Sequence, residues 1–503
     1  MSSAGKSFLA AALCRIFHQD GYRCAPFKSQ NMALNSFVTQ DGAEIGRAQA
    51  MQAQAAGVIP CAQMNPVLLK PTSDAGSQVI VNGAPAGDMT AREYYRKKTR
   101  LIPVIRKAYD FLAASYDIIV IEGAGSPVEL NLNADDFVNM GMARMADAPV
   151  LLVGDIDRGG VFAQLLGTLS LLEAADRARV KGLIVNRFRG DKTLFDDGVK
   201  ILEERGGVPV LGVVPYIRAD LEDEDSLSEK LSGEGGGLID IAVIRPARIS
   251  NFTDFDVFAQ YEGVSVRYVN SSALLGHPDL IILPGTKSTI SDLRSLRERG
   301  LDIAIRRAAA DGVPVFGICG GYQMLGKRIR DPFGAEGGGE TEGLGLLDCE
   351  TVFEPEKRRT QTRGHFEAVE GFFSCLSGAA YEGYEIHMGR TYGCGSPLLR
   401  ADSDASGTAQ PDECLIGTSD GGNVCGCYVH GIFDAPEVSG SLVRHLFEVR
   451  GIPYAGGTAD RTAYKEEQFD IAADEVRKSL DMELLYKIIF EGNEYGGSGI
   501  CSS

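Results

Sequence analysis

The chain has 503 residues, 44% of them apolar and 23% charged, and its formal net charge is −18. That length exceeds one ordinary domain, and the acidic balance excludes nucleic acid as the main partner, because phosphate backbones are met by basic faces. With no run long enough to insert in a membrane, no cleavable leader pattern and eleven scattered cysteines that fit reduced thiols, a cytoplasmic location is expected.

The first element raises a question about phosphate. "MSSAGKS" contains Gly5-Lys6-Ser7, the end of a G-x-x-x-x-G-K-[ST] loop whose first glycine would precede Met1. The apolar run from Phe8 to Phe17 predicts the helix that such a loop launches. There a lysine meets β/γ-phosphates, a serine hydroxyl meets Mg²⁺, and the backbone N–H groups hold the anion. The strand "RCAPFK" closes at Lys28, and "YDIIVIEGAGS" is a buried strand ending in Glu122, placed to offer Mg²⁺ a carboxylate. The plainer alternative is a turn, a structural glutamate and a surface lysine.

"APVLLVGDID", "VKGLIVNRF" and "VPVLGVVP" follow as further strands, with helical stretches such as Val161–Ala175 between them. Continuous apolar strands separated by helices imply a parallel sheet covered on both faces. Asp220 to Gly237, acidic and then glycine-rich, cannot bury much apolar surface and reads as a linker. The strand rhythm resumes with "IDIAVIR", "VSVRYVN", "DLIILPG" and "VPVFGIC". "DPFGAEGGGETEG" and "ADSDASGTAQPDE" read as exposed loops, and past Gly440 the spacing turns helical. The expected division is therefore residues 1–219, a linker at 220–238, residues 239–440, and a helical extension at 441–503.

"VPVFGICGGYQMLG" is a strand, a tight turn and a helix, with Cys319 at the turn. Small residues around a nucleophile at a sheet edge make an elbow, with the Gly320 N–H available to an oxyanion and the helix start favouring a thiolate. Cys425-Gly-Cys427 lacks zinc spacing and a second pair, so it is not taken as a metal site.

The elbow resembles that of class I glutamine amidotransferases. The resemblance makes Cys319 the nucleophile and places Gly285, in "IILPGTKST", as the second oxyanion donor. It favours His430, in "CGCYVHGIFD", as base, with His387, in "GYEIHMGRT", as the rival. Most members place Glu two residues after the histidine; Ile432 stands there, so the group that orients the imidazole is unassigned.

"PFKSQNMALNS", "EIGRAQAMQAQAAGV", "MNPVLLKPTSDAGSQVIVNG", "IEGAGSPVELNL" and "GDIDRGGVFA" closely resemble the cobyric acid synthases, glutamine-hydrolysing enzymes of cobalamin biosynthesis. The resemblance implies an α/β protein. An N-terminal P-loop domain like dethiobiotin synthetase binds ATP through Gly5, Lys6 and Ser7, with Mg²⁺ on Ser7 and Glu122. A C-terminal amidotransferase domain supplies ammonia from glutamine. The implied reaction amidates the b, d, e and g carboxylates of adenosylcobyrinic acid a,c-diamide. Gln30, Asn31 and Asn35 suit hydrogen bonding to a polyamide corrin edge, or else cap loops. Asp157 and Arg158, at a strand end where parallel sheets bind ligands, are candidate substrate contacts. Family members usually carry a strand and a complete loop where this chain begins mid-motif, so a start upstream of Met1 is expected. The alternatives are the related a,c-diamide synthase, which carries an aspartate-containing motif in place of "QNMALNS", and a P-loop switch ATPase fused to a degenerate amidotransferase-like module.

Overall fold

A computed structural model of the chain describes residues 4–72, 76–131, 135–222, 236–393, 399–402, 416–418, 422–457 and 459–492. Most of the linker expected at 220–238, and most of the loop expected at 401–413, lie outside those residues.

In the N-terminal half, the β-branched runs form parallel pairs, as buried strands with apolar side chains on both faces should. Cys24–Phe27 pairs with Ile118–Ile121. Val150–Asp155, Val180–Phe188 and Val210–Pro215 form a second parallel piece, with the 180–188 strand in the middle. Ile118–Ile121 and Val150–Val153 both line one cavity of about 430 Å³, which also meets Leu9, Phe17 and Ile488. A mixed four-stranded sheet, Gln30–Met32, Val67–Pro71, Gly76–Val81 and Ala84–Thr90, accompanies the parallel pieces. The βα rhythm of the sequence does not announce it.

The C-terminal half is built on a six-stranded sheet in the order Val264–Val269, Ile239–Ile244, Leu280–Leu283, Val315–Ile318, Val424–Cys427 and Ile416–Thr418. Its first five strands are parallel and the last is antiparallel. Phe316, Phe433 and Phe258 pack on one face, with ring centroids 4.9–5.0 Å apart. A second sheet holds the long antiparallel pair Glu350–Phe366 and Ala380–Tyr392. The stretch "DPFGAEGGGETEG", expected as an exposed loop, forms the largely exposed connection and the second strand of an antiparallel hairpin, Arg328–Asp331 with Gly339–Glu342. Asp331 closes it: its carboxylate accepts the backbone N–H groups of Ala335, Glu336 and Gly338 at 2.7–2.8 Å. Such a local anchor lets a glycine-rich turn hold one shape.

The stretch 441–503 is shared between the two halves. Helix Pro436–Val449 runs across residue 440 and buries Val438, Leu442 and Val443 in the core of the C-terminal half. Helices Arg461–Ser479 and Met482–Glu491, capped by the Asp460 and Asp481 carboxylates, return to the N-terminal half. There Phe469, Ala472, Val476 and Ile488 join Leu9, Ala11 and Phe17 of helix Lys6–Gln19 in one buried cluster. Small residues on both helices, Ala11 and Ala12 against Ala472 and Ala473, permit the close approach.

Buried charges tie the halves together. Arg47 donates to both Glu222 oxygens, at 2.5 and 2.8 Å, and Lys465 meets the same carboxylate at 2.7 Å. Lys357 of the C-terminal half reaches Glu44 at 2.6 Å, beside Lys70 at 2.9 Å. Burial alone would expel such charges; the pairing offsets it, and removing one partner costs about 3–5 kcal/mol.

This packing makes the C-terminal helices part of the N-terminal core. Phe469→Ala is expected to cost about 3–5 kcal/mol. Hydrogen exchange resolved by segment should lose protection in Lys6–Gln19 and keep it in the sheet around Val315–Ile318; the opposite pattern would separate these helices from the N-terminal core.

Candidate active site

Strand Val315–Ile318 is buried along its length and delivers the chain into a sharp turn. At that turn Cys319 adopts φ 51°, ψ −111° and caps helix Gly320–Leu325. A left-handed φ on a side chain with a Cβ is strained, and surrounding structure must hold it. The Cys319 N–H is fixed by Cys427 O at 2.8 Å, and its carbonyl accepts from Gln323 N–H at 3.0 Å. Gly321 must be glycine, since a Cβ there would lie 2.0 Å from Leu283 O. The elbow expected from the sequence is present.

His430 follows the short strand Val424–Cys427 and is fully buried. Its Nδ1 meets the Asp254 carboxylate at 2.7 Å, and the Cys319 side chain lies close enough to act on the charge of the same ring. The second Asp254 oxygen accepts from Gly431 N–H at 3.2 Å, which locks the carboxylate beside the ring. Burial acts to depress the imidazole, yet the Asp254 charge and hydrogen bond, with Cys319 beyond, lift it to about 10. Cysteine, histidine and aspartate thus share one buried cluster.

Asp254 stands where the sequence leaves the partner of the imidazole unassigned. It comes from the 3₁₀ helix Phe252–Gln260, far from the histidine in the chain. Phe252, Phe255, Val257 and Phe258 bury the rest of that helix and turn Asp254 inward. The signal was an acid amid aromatics in "NFTDFDVF", since a buried carboxylate needs a partner.

His387, the rival base, is otherwise engaged. Its ring nitrogens meet Gly389 O at 3.1 Å and Glu385 at 3.3 Å, and it stacks on Tyr428 with centroids 3.7 Å apart. Its neighbour Ile386 offers a carbonyl to the Cys319 thiol at 3.7 Å. Gly285 and Gly320, the oxyanion candidates, flank the same space. A Cβ on Gly285 would lie 2.8 Å from His430 Cε1, and one on Gly320 would lie 2.7 Å from Thr286. Cys425 and Cys427 are buried strand residues, and among the described residues no group of three or more metal-ligating side chains occurs.

A second cluster lies in the N-terminal half. Gly5 caps helix Lys6–Gln19 with φ 76°, a conformation that suits glycine. Ser7 Oγ donates to Glu122 Oε1 at 2.8 Å, Lys28 meets the same oxygen at 2.9 Å, and Gln52 donates to Oε2 at 2.7 Å. Lys6 Nζ lies 3.5 Å from Gly125 O, also beside this carboxylate's strand. Ser7, Glu122 and Lys28, chosen from the sequence, therefore converge, and Gln52 of "EIGRAQAMQ" joins them unannounced. A hydroxyl with a carboxylate is a hard oxygen donor set, which fits Mg²⁺.

The substrate candidates divide. Asn31 is buried and gives its amide to Gln49 at 2.8 Å, Gln30 accepts from the Tyr94 hydroxyl at 2.5 Å, and buried Asn35 offers its carbonyl to Arg47 N–H at 3.2 Å. Asp157 and Arg158 occupy an exposed turn; Asp157 pairs with Arg189 at 2.6 Å, and Arg158 lies 3.8 Å from Asp155.

Among the described residues, no helix is long and apolar enough to cross a membrane. A family model for the CobQ/CobB/MinD/ParA nucleotide binding domain matches residues 1–227, and one for the CobB/CobQ-like glutamine amidotransferase domain matches residues 240–438. The cobyric acid synthase of Ruminiclostridium cellulolyticum is 54% identical over 99% of this chain and 97% of its own. That of Lachnoclostridium phytofermentans is 53% identical over 98% of each, and that of Yersinia enterocolitica 49% over 97% of this chain and 96% of its own. With a nucleotide-binding half and an amidotransferase half matched from end to end, the chain belongs to the cobyric acid synthase family of glutamine-dependent amidoligases.

Proposed function

We propose that the chain uses glutamine and MgATP to amidate the b, d, e and g carboxylates of adenosylcobyrinic acid a,c-diamide, giving adenosylcobyric acid. The observation that carries the glutamine half is the buried His430–Asp254 pair beside the Cys319 elbow. The Cys319 thiolate attacks the glutamine carboxamide carbon, and the oxyanion formed is met by the N–H groups of Gly320 and Gly285. His430, held protonated by Asp254, gives its proton to the departing ammonia. Water, losing a proton to His430, then releases glutamate from the thioester.

In the other half, Lys6 and the N–H groups at the helix start hold the phosphates. Ser7 and Glu122 would hold Mg²⁺, whose charge offsets the negative charge of phosphoryl transfer. Lys28 and Gln52 keep the Glu122 carboxylate in place. Ammonia displaces phosphate from the activated corrinoid carboxylate and forms the amide. Gln30, Asn31 and Asn35, together with Asp157 and Arg158, are the proposed substrate-side residues. The buried amides of Asn31 and Asn35 shape the segment around Gln30 rather than lying open to solvent.

Separate sites predict separable losses. Cys319→Ala should abolish glutamine-dependent amidation yet amidate the corrinoid with concentrated ammonium at alkaline pH, where free NH₃ is abundant. Lys6→Ala should do the reverse, losing amidation from either nitrogen source while keeping glutaminase activity. Retained glutamine-dependent activity in Cys319→Ala would end the assignment of the nucleophile.

The raised His430 value sets a pH dependence. A histidine whose pKa is higher in the folded chain contributes stability below its unfolded value, about 6.5, which is lost as pH rises through about 10. The imidazolium that protonates the leaving ammonia persists over the same range. Asp254→Asn should lower glutaminase kcat on the order of 10²–10⁴-fold and bring the alkaline limb of its pH profile down towards neutral. An unmoved limb would mean that Asp254 does not set the histidine's charge.

A further inference from the structure

Ser36 stands at the seam between the halves with three polar atoms engaged. Its N–H donates to Asn251 Oδ1 at 3.1 Å, its carbonyl accepts the Tyr384 hydroxyl at 3.0 Å, and its own hydroxyl accepts from Lys70 at 2.9 Å. Asn251 Nδ2 in turn reaches the Tyr384 oxygen at 3.0 Å and closes a ring of two side chains and one backbone unit. Ser36 belongs to the N-terminal half, directly after Asn35; Asn251 and Tyr384 belong to the other half. All three are buried, where each hydrogen bond is strong and an unmade one is costly.

The far side of this ring meets the imidazole twice. Asn251, with φ 53°, caps the helix that carries Asp254, and its carbonyl accepts the Asp254 N–H at 3.0 Å. The Tyr384 ring stacks on His430, with centroids 5.5 Å apart and planes 23° from parallel. Phe37, the residue after Ser36, packs on Tyr384 at 5.5 Å and under the Arg47 guanidinium at 5.4 Å. The carboxylate that orients the base and the ring that walls it are therefore both referenced to one strand of the ligase half.

We propose that Ser36, Asn251 and Tyr384 are a positioning relay, through which segment Gln30–Val38 of the ligase half aligns His430 and Asp254 with Cys319. Glutamine is then hydrolysed at full rate only when the corrinoid-side segment is seated. This rests on the reading of Cys319 and His430 as the glutaminase pair. The chemical reason is the cost of misalignment: a shift of about 1 Å at a reacting pair reduces rate on the order of 100-fold. Ammonia released without an activated carboxylate waiting would be lost to solvent.

The test uses the full chain. Asn251→Gly keeps the left-handed backbone and deletes the carboxamide, and Tyr384→Phe keeps the stacked ring and deletes the hydroxyl. Glutaminase kcat and KM are measured with and without ATP and adenosylcobyrinic acid a,c-diamide, together with glutamate released per amide formed, ammonia-dependent amidation, and labelling of Cys319 by 6-diazo-5-oxo-norleucine. Both variants should lose kcat on the order of 10- to 100-fold with KM for glutamine nearly unchanged. They should also lose stimulation by corrinoid, release more glutamate per amide, and keep wild-type ammonia-dependent amidation. Asn251→Asp, which retains the acceptor for Ser36 N–H, should recover part of the rate. Wild-type kcat and coupling in both variants would overturn the relay, as would a parallel loss of ammonia-dependent activity, which marks a merely structural role. Glutaminase activity in Cys319→Ala would instead strike the underlying reading and take the relay with it.

Discussion

A charged imidazole sealed from water at His430 is tolerable only because a carboxylate meets it at 2.7 Å. Burial of either ion alone would cost several kcal/mol, and only close pairing with further hydrogen bonds offsets that. The architecture of the C-terminal half follows from the need. Strand Val424–Cys427 leads to the base, strand Val315–Ile318 delivers the sulfur, and both are parallel neighbours in one sheet. The acid enters from outside the sheet on a 3₁₀ helix that buries Phe252, Phe255, Val257 and Phe258. Parallel order brings Cys319 and His430 together at one sheet end, where such sheets form their sites; aromatic packing supplies Asp254.

The N-terminal half solves a related problem with opposite charge. Glu122 is a buried carboxylate, and Ser7, Lys28 and Gln52 all donate to it. A carboxylate so surrounded is held in one orientation by its own neighbours. The helix that begins at the loop is clasped from behind by Arg461–Ser479, so the chain's last third braces its first helix. Glu222 gathers Arg47 and Lys465 and lies 3.7 Å from Arg461, holding that clasp close to the turn after His430, where Asp434 faces Arg461 at 3.5 Å.

Legibility in the sequence followed the range of the interaction. Cys319 could be read because an elbow needs small residues at fixed neighbouring positions, and Ser7 and Glu122 because a loop and a strand end are local patterns. The parallel strands could be read from β-branched runs. The long pair Glu350–Phe366 and Ala380–Tyr392 could not, since "EPEKRRTQTRG" has charged residues where alternation should be and is stabilised by a distant partner strand. Asp254 was hidden for the same reason. Where the amidotransferase pattern has its acid, this chain has Ile432, whose side chain is wholly buried in the apolar core. An acid could not replace it there without an unpaired buried charge.

The displacement of the acid changes what the alignment depends on. An acid two residues after the histidine would ride on the same turn as the base, and the pair would be set within one domain. An acid on the Phe252–Gln260 helix is set instead by whatever holds that helix, and its cap, Asn251, is hydrogen-bonded to Ser36 across the seam. Tyr384, the aromatic wall of the same imidazole, takes its second anchor from the same residue. Buried hydrogen bonds of this kind are all-or-none in effect, because a seam that opens leaves several polar groups without partners at once. Precision at the sulfur is thereby a property of the joined halves, and a chain that must amidate one carboxylate after another has reason to build its ammonia source that way.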